Sequence, residues 1–277
     1  SAPAGAKGLV SRAAPGTGQG KTKKNGAGLH GAEGETKRSQ DPGPARRSGK
    51  EGRNVLNYKF DFAPVIDGLP DLLWGCLGTL GLALAGMVLA LVIGIGGVVL
   101  RDSPYRGLRW LVISFVELIR NTPFLVQIYF IFFALPLAGI RLDPTPTAII
   151  ALGVNGGAYA IEIIRGGVQS ISKGQIEAGL ALGLHKGQVF RLVVLKPALR
   201  AIFPSLTSQF ILLTLKTSIA AAISAYELTS VAQNIESNTF RSFEVYGVVT
   251  LLYHAMSWLM MRMFAQITAR HFSYPVK

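Results

Sequence analysis

The run Leu72–Leu100 contains no Asp, Glu, Lys or Arg. A helix needs about 20 apolar residues to cross a hydrocarbon core ~30 Å thick. Inside that core every backbone N–H and C=O must be bonded within the protein, so a run of this length is expected to be a membrane-spanning helix. Four further stretches meet the same length requirement: Pro123–Ile140, Thr147–Ile164 with Glu162 near its end, Ile202–Ile223 interrupted by Lys216, and Val245–Met261. The expected fold class is therefore all-α integral membrane, with five transmembrane helices. The composition agrees, since 16% of the residues are charged against about a quarter in soluble domains.

A net charge of +13 raises nucleic acid as a partner. Its distribution argues against one, because residues 1–60 carry 12 of the 28 Lys+Arg and 4 of the 15 Asp+Glu. Most of the excess belongs to residues 1–53, a Gly/Ala/Lys-rich tail with almost no large apolar residues, which is expected to be disordered. The tail lacks the apolar core of a signal peptide. Gly16–Thr22 imitates a phosphate-binding loop, but Pro15 stands where glycine is required, and no strand or helix can form around it. Residues 54–71 read as an interfacial segment anchored by Phe60, Phe62 and Val65, and residues 72–277 as the transmembrane domain. The one cysteine, Cys76, lies in the first apolar run and reads as a small lipid- or core-facing residue. His185, His254 and His271 have no ligand spacing, so no metal site is expected.

Orientation follows from the basic residues of the short loops. With residue 60 outside, the inner segments hold Arg101, Arg106, Arg109, Arg120, Arg165, Lys173, Lys186, Arg191, Lys196, Arg200, Arg270 and Lys277, and the outer ones only Arg141 and Arg241. That asymmetry places the C-terminus in the cytoplasm. The basic tail runs against it and reads as foreign to the mature protein. Gly153 and Gly157 in the third span, and Gly81 and Ala85 in the first, are spaced to let helices approach closely.

The inner segment 165–200 is too polar to span and too patterned to be a tail. Glu177-Ala178-Gly179 opens a helical turn, Gly183 permits a sharp reversal, and Val189, Phe190 and Leu192–Leu195 form a second apolar stretch. A helix–turn–helix on the cytoplasmic face is expected, a rigid knob that a soluble partner can grip. The segment resembles the coupling loop of ABC-importer permeases, whose pattern is E-A-A, three residues, G, nine residues, I-x-L-P. Glu177, Ala178 and Gly183 fall in register, with Val193 and Leu195 at the Ile and Leu positions. Gly179 replaces the second Ala, and Lys196 stands where Pro is expected, with Pro197 one place later. Val116–Pro123 followed by Leu125, Val126 and Gln127, Ala158–Glu162 with Arg165–Gly167, Lys173–Gln175, Lys216–Ser218 and Glu227–Thr229 are similar to the polar amino acid permease subfamily. The matches keep order and spacing from about residue 55 to the C-terminus.

The resemblance implies a type I ABC importer permease in the bacterial cytoplasmic membrane. Two such subunits form one path, each docks on a cytosolic ABC ATPase, and an extracytoplasmic binding protein delivers an amino acid. ATP and Mg would be held by the ATPase, with no cofactor on this chain and no covalent chemistry performed by it. Glu177, Ala178, Gly179, Gly183 and Pro197 would form the coupling loop; the plain alternative for Glu177 is a helix-start acid favoured by the dipole. Gln127, Asn155, Tyr159, Glu162, Lys216, Thr217 and Ser218 are candidates for the substrate path. Glu162 reads equally as a ligand contact and as an ion-pair partner of Arg165. Lys216, Thr217 and Ser218 read equally as path residues and as packing groups bonded to freed carbonyls. The rivals are a secondary transporter or channel, which needs an inverted repeat or clustered buried ionisable residues, a membrane enzyme, which needs a catalytic constellation, and a structural membrane protein whose inner loop docks a scaffold; the sequence offers neither of the first two sets of features.

Overall fold

The computed structural model describes Tyr58–His271, and the readings made for residues 1–53 lie outside the described residues. After a short turn, α1 (Ala63–Asp67), comes the longest helix, α2 (Leu69–Arg101), started by Pro70 and Asp71 in its first turn and ended with Arg101 in its last. Acid first and base last complements the helix dipole. Along α2 the large side chains Leu73, Leu77, Leu84, Val88, Val92, Ile95 and Val99 point outward. Gly75, Thr79, Ala83, Gly86, Ala90, Gly94 and Gly97 are buried. This inversion belongs to a membrane helix, where lipid solvates Leu and Val as well as protein does and close backbone approach supplies the packing.

α3 (Arg106–Arg120) and α4 (Phe124–Ala134) meet at 109°. The residue before Pro123 is disfavoured in helical conformation and the proline lacks an N–H, so α3 stops there. Thr122 Oγ1 then donates to the freed carbonyl of Leu118 at 2.7 Å. α4 ends in a 3₁₀ turn, Leu135–Ala138, closed by Gly139 at φ 83°. The sequence predicts one continuous span over Pro123–Ile140. The α-helix found has 11 residues, about 17 Å at 1.5 Å per residue, short of a ~30 Å core. Among the described residues four helices are long and apolar enough to cross a membrane, and five if the bent α3–α4 pair counts as one span.

α5 (Pro144–Gln169) is followed by the inner knob, α6 (Lys173–Ala181) and α7 (Lys186–Val189). A π turn, Phe190–Val194, leads into α8 (Leu195–Lys216), which tightens into a 3₁₀ segment, Thr217–Ile223. α9 (Leu228–Thr239) and α10 (Ser242–His271) complete the described residues.

The centre of the fold is the α2–α5 crossing. A Cβ at Gly157 would lie 2.6 Å from Ile93, one at Gly153 2.4 Å from Leu89, and one at Gly94 2.6 Å from Ala160. The expected Gly153/Gly157 pair thus sits in the contact. The expected Gly81/Ala85 pair does not, because Gly81 faces open space; the α2 stripe that meets α5 is Gly86, Ala90, Gly94 and Gly97. Cys76 packs inside with Leu72, Leu228 and Val245. Val65 departs from its expected interfacial role: it is 2% exposed and belongs to the same cluster, whereas Phe60 and Phe62 are exposed. The segment before α1 is clamped to the start of α10. Tyr58 donates to Glu244 Oε2, Asp61 N donates to Glu244 Oε1 at 2.9 Å, and Arg241 pairs with Asp61 and Glu244 at 3.9 and 3.7 Å.

Candidate functional site

Four helices converge on one polar chain. Gln127 of α4 donates through Nε2 to the Ile119 and Thr122 carbonyls at 2.7 and 3.1 Å and to Thr122 Oγ1 at 2.9 Å. It thereby satisfies backbone groups that the α3–α4 bend leaves open. Its Oε1 accepts from Asn155 Nδ2 of α5 at 2.9 Å. Asn155 Oδ1 accepts in turn from Lys216 Nζ, at the end of α8, at 2.7 Å. Asn155 is 2% exposed and Gln127 9%, while Lys216 is half-buried. The Lys216 ammonium stands over the Tyr159 ring at 5.0 Å and the Phe124 ring at 5.8 Å, and the Arg120 guanidinium over the Tyr159 ring at 5.3 Å. These lie within the ~6 Å at which a ring quadrupole attracts a cation. Neither cation meets a carboxylate among the described residues. Two cations thus flank one tyrosine without a counter-ion, and Lys216 retains donors not used by Asn155.

Of the seven path candidates, Gln127, Asn155, Tyr159 and Lys216 come together. The other three do not join their hydrogen-bond chain. Glu162 is bonded to Arg101 of α2 and lies 3.7 Å from Arg165, the ion-pair alternative extended to a second arginine. Thr217 Oγ1 donates to the Thr214 carbonyl at 2.7 Å and Ser218 Oγ to the Leu215 carbonyl at 2.8 Å. Both hydroxyls serve the junction between α8 and its 3₁₀ extension.

A second buried network was not assigned a role from sequence. Glu227, 0% exposed, caps α9: its Oε1 accepts from Ser230 N at 2.7 Å, and its Oε2 accepts from Tyr253 Oη at 2.8 Å. Thr79 Oγ1 of α2 accepts from Leu228 N at 3.1 Å. Burial pushes the Glu227 carboxyl upward against these hydrogen bonds. The available signal was the acid three residues before Ser230, ahead of the mixed run 228–239, which is the spacing of a helix N-cap.

The inner knob is built by local rules. Ser172 caps α6, accepting from Gln175 N. At its other end Gly183, at φ 82°, donates to the Leu180 carbonyl at 3.0 Å, and Leu184 N donates to the Gly179 carbonyl at 3.2 Å. That pair of bonds is the Schellman reversal, for which glycine is the favoured residue. His185 and Gln188 then form a reciprocal capping box that opens α7. Gly179 is buried, and a Cβ there would stand 3.2 Å from Val189 and 3.4 Å from Val193, so only a small residue fits where α6 packs on the chain leading to α8. Glu177 and Ala178 are exposed. α6 begins at Lys173, so Glu177 is mid-helix and outside the first turn; the dipole alternative for it falls away. Leu180, Leu182 and Phe190 are 43%, 82% and 52% exposed. Pro197 lies exposed in the first turn of α8, just beyond the π turn.

Membrane-length helices around a buried polar chain, with a capped and exposed helical knob, make this a polytopic membrane protein. Residues 86–271 match the family described as the binding-protein-dependent transport system inner membrane component. The glutamine transport system permease protein GlnP of Escherichia coli is 39% identical over 197 residues, which cover 70% of this chain and 90% of that protein. The L-cystine transport system permease protein TcyB of Bacillus subtilis is 40% identical over 177 residues, 63% of this chain and 74% of that one. A crystal structure of an amino acid ABC transporter with histidines superposes with a TM-score of 0.73 at 29% identity, over 77% of this chain and all of the other. The MetNI methionine transporter, at TM-score 0.61 and 22% identity, shares the fold. The chain belongs to the family of binding-protein-dependent transport system inner membrane components, and it carries the type I ABC importer permease fold.

Proposed function

We propose that this chain is the transmembrane subunit of an ATP-driven importer of polar amino acids, coupled to its ATPase through the 165–200 loop. In this reading α6 and α7 dock on one subunit of a cytosolic ABC ATPase dimer that holds ATP and Mg. A second permease subunit, identical or related, completes the path, and an extracytoplasmic binding protein delivers the substrate. The C-terminus lies in the cytoplasm, as the distribution of basic residues favours. ATP acts by favouring one transporter conformation over another, since a ligand shifts an equilibrium only by its differential affinity for the two states.

The observation that carries the reading is the knob itself. Its Glu177 carboxylate makes no ion pair or hydrogen bond among the described residues, and Leu180, Leu182 and Phe190 are exposed beside it. An exposed apolar cluster next to an unpaired charge, on a backbone fixed by a cap, a Schellman turn and a capping box, suits a rigid lever seated in a protein cleft. The substrate class is supported by the relatives and by the Arg120–Tyr159–Lys216 group, whose two uncompensated cations suit the α-carboxylate of an amino acid. Gln127 and Asn155 would hold Lys216 in place, while Glu162, Thr217 and Ser218 would act on helix geometry.

The test is ATP hydrolysis in proteoliposomes that contain this chain with its ATPase and loaded binding protein. Stimulation by the loaded binding protein, lost in Glu177→Ala while the complex still co-purifies, is the expected result, and the stimulating amino acid names the substrate. A chain that never associates with an ATPase, or a Glu177→Ala transporter that keeps full stimulation, refutes it.

A further inference from the structure

We propose that the cleft between the outer ends of α2 and α9 receives a lysine or arginine side chain of the extracytoplasmic binding protein, with Asp71 as its counter-ion. The proposal rests on the importer reading above and on the orientation that goes with it. The cleft is lined by Asp71, Tyr226, Val231, Asn234, Ile235 and Asn238 and has a volume of about 250 Å³. Pockets that hold small molecules run from roughly 300 to 1,000 Å³; this one suits a single long side chain. It forms because glycines bring the two helices together. A Cβ at Gly68 would stand 2.7 Å from Ile235, one at Gly75 2.9 Å from Leu228 Cα, and one at Gly78 2.9 Å from the Tyr226 carbonyl oxygen. Asp71 lies four residues before Gly75 and seven before Gly78, on the same helix face, and so stands at the edge of that contact.

The lining of the cleft suits a cation. Asp71 is exposed and pairs with no cation among the described residues. Asn238 Nδ2 donates to the Asn234 carbonyl at 2.8 Å, which leaves the Asn238 side-chain oxygen as an acceptor. The Tyr226 ring, 54% exposed, offers a cation its π face. None of the residues lining the cleft is Lys or Arg. Arg241, at the same end of the molecule, is engaged by Asp61 and Glu244 at 3.9 and 3.7 Å, whereas Asp67 and Glu236 have no cation among the described residues. This end therefore favours a basic partner, the reverse of the inner face. A free amino acid brings a carboxylate for which the cleft holds no cation. A calcium ion takes six to eight oxygens, and the cleft supplies one carboxylate. α9 also joins Lys216 through the 3₁₀ segment Thr217–Ile223, so a load on the cleft bears on the helix that continues toward the polar chain.

The transporter, assembled with its ATPase in nanodiscs, is titrated with its fluorescently labelled, substrate-loaded binding protein, and Kd is read by anisotropy. Asp71→Lys weakens binding about tenfold or more. Asn234→Trp, which fills the cleft, weakens it similarly, and Asp67→Asn, outside the cleft, leaves it within about twofold. Asp71 and Asn234 are exposed, so both variants co-purify with the ATPase as wild type does. Reversing the charge of one lysine or arginine on the binding protein restores its affinity for Asp71→Lys and names the side chain that enters. Wild-type affinity in Asp71→Lys or Asn234→Trp, or a loss that no such reversal restores, overturns the proposal. So does saturable binding of free glutamine to the transporter alone that Asn234→Trp abolishes, because the occupant is then the substrate. A wild-type transporter that never binds the protein refutes the importer reading and this proposal with it, a result distinct from normal binding that ignores the cleft.

Discussion

Asn155→Ala tests whether the polar chain at the centre of the bundle acts as one unit. The substitution removes the acceptor of Lys216 Nζ and the donor to Gln127 Oε1 together. A buried group left without its partner costs roughly 1–3 kcal/mol, more if charged. Two circumstances lower the sum. Hydrogen bonds between membrane helices average about 0.6 kcal/mol and reach about 1.7, and Lys216 is half-buried, so part of its ammonium can reach water along its own stem. We therefore expect a loss of ~2 kcal/mol for Asn155→Ala. Lys216→Met is expected to cost less, because it removes a charge and leaves Asn155 still bonded to Gln127. In the double variant the orphaned ammonium is gone, and the combined cost falls short of the sum by ~1 kcal/mol. Unfolding of all four proteins in one detergent, followed by tryptophan fluorescence against denaturant, measures the cycle. Additivity within ~0.5 kcal/mol, the behaviour of independent sites, would refute the network.

Two other perturbations separate packing from electrostatics. Gly157→Leu drives a side chain into Ile93 across the α2–α5 contact and should cost about 1–3 kcal/mol or more, whereas Gly81→Ala adds a Cβ that meets nothing within 4 Å and should leave the melting midpoint unchanged; size-exclusion yield and thermal unfolding decide. For Glu227 the folded carboxyl titrates above its unfolded value. Its stabilising contribution is therefore complete below the ordinary carboxyl range of ~4.3 and is lost as pH rises through the raised value. Glu227→Gln, which keeps an acceptor for Ser230 or Tyr253 without a charge, should flatten the stability profile above the ordinary carboxyl range, and an unchanged slope there would count against a titrating Glu227.

What the sequence made legible divides along a physical line. Long apolar runs report the number of membrane helices because the bilayer sets their length, so α2, α5, α8 and α10 were legible as spans, although α8 starts at Leu195 ahead of the expected Ile202 and α10 runs past Met261 to His271. The bend between α3 and α4 was not, because a hydropathy window over 123–140 is blind to the direction in which a short helix leaves Pro123. The glycine contact was half readable. Gly153 and Gly157 stand out by spacing, but α2 carries so many small residues that several stripes fit, and the one used is fixed only by where α5 lies. Tertiary context also decided among the polar residues. Asn155 and Lys216 are 61 residues apart and nothing local joins them, whereas Thr217 and Ser218 beside Lys216 turn back onto their own helix.

Pro197 shows how a departure from a motif can be absorbed without changing its outcome. Proline cannot donate to the carbonyl four residues back, here Val193, and its ring presses on that carbonyl in a regular α-helix. Immediately before it, over Phe190–Val194, the chain widens to a π turn, with Leu195 N donating to the Phe190 carbonyl. A π turn holds one residue more than an α turn would. With Val193 and Leu195 at the motif's Ile and Leu positions, Lys196 alone separates the displaced Pro197 from them, and the π turn lies directly ahead. Upstream, the Schellman reversal at Gly183 and the seating of Gly179 against Val189 and Val193 are intact. Downstream, α8 runs on and delivers Lys216 to Asn155. The displaced proline thus follows one loosened turn between the knob and the span, the segment that joins α6 and α7 to the helix carrying Lys216.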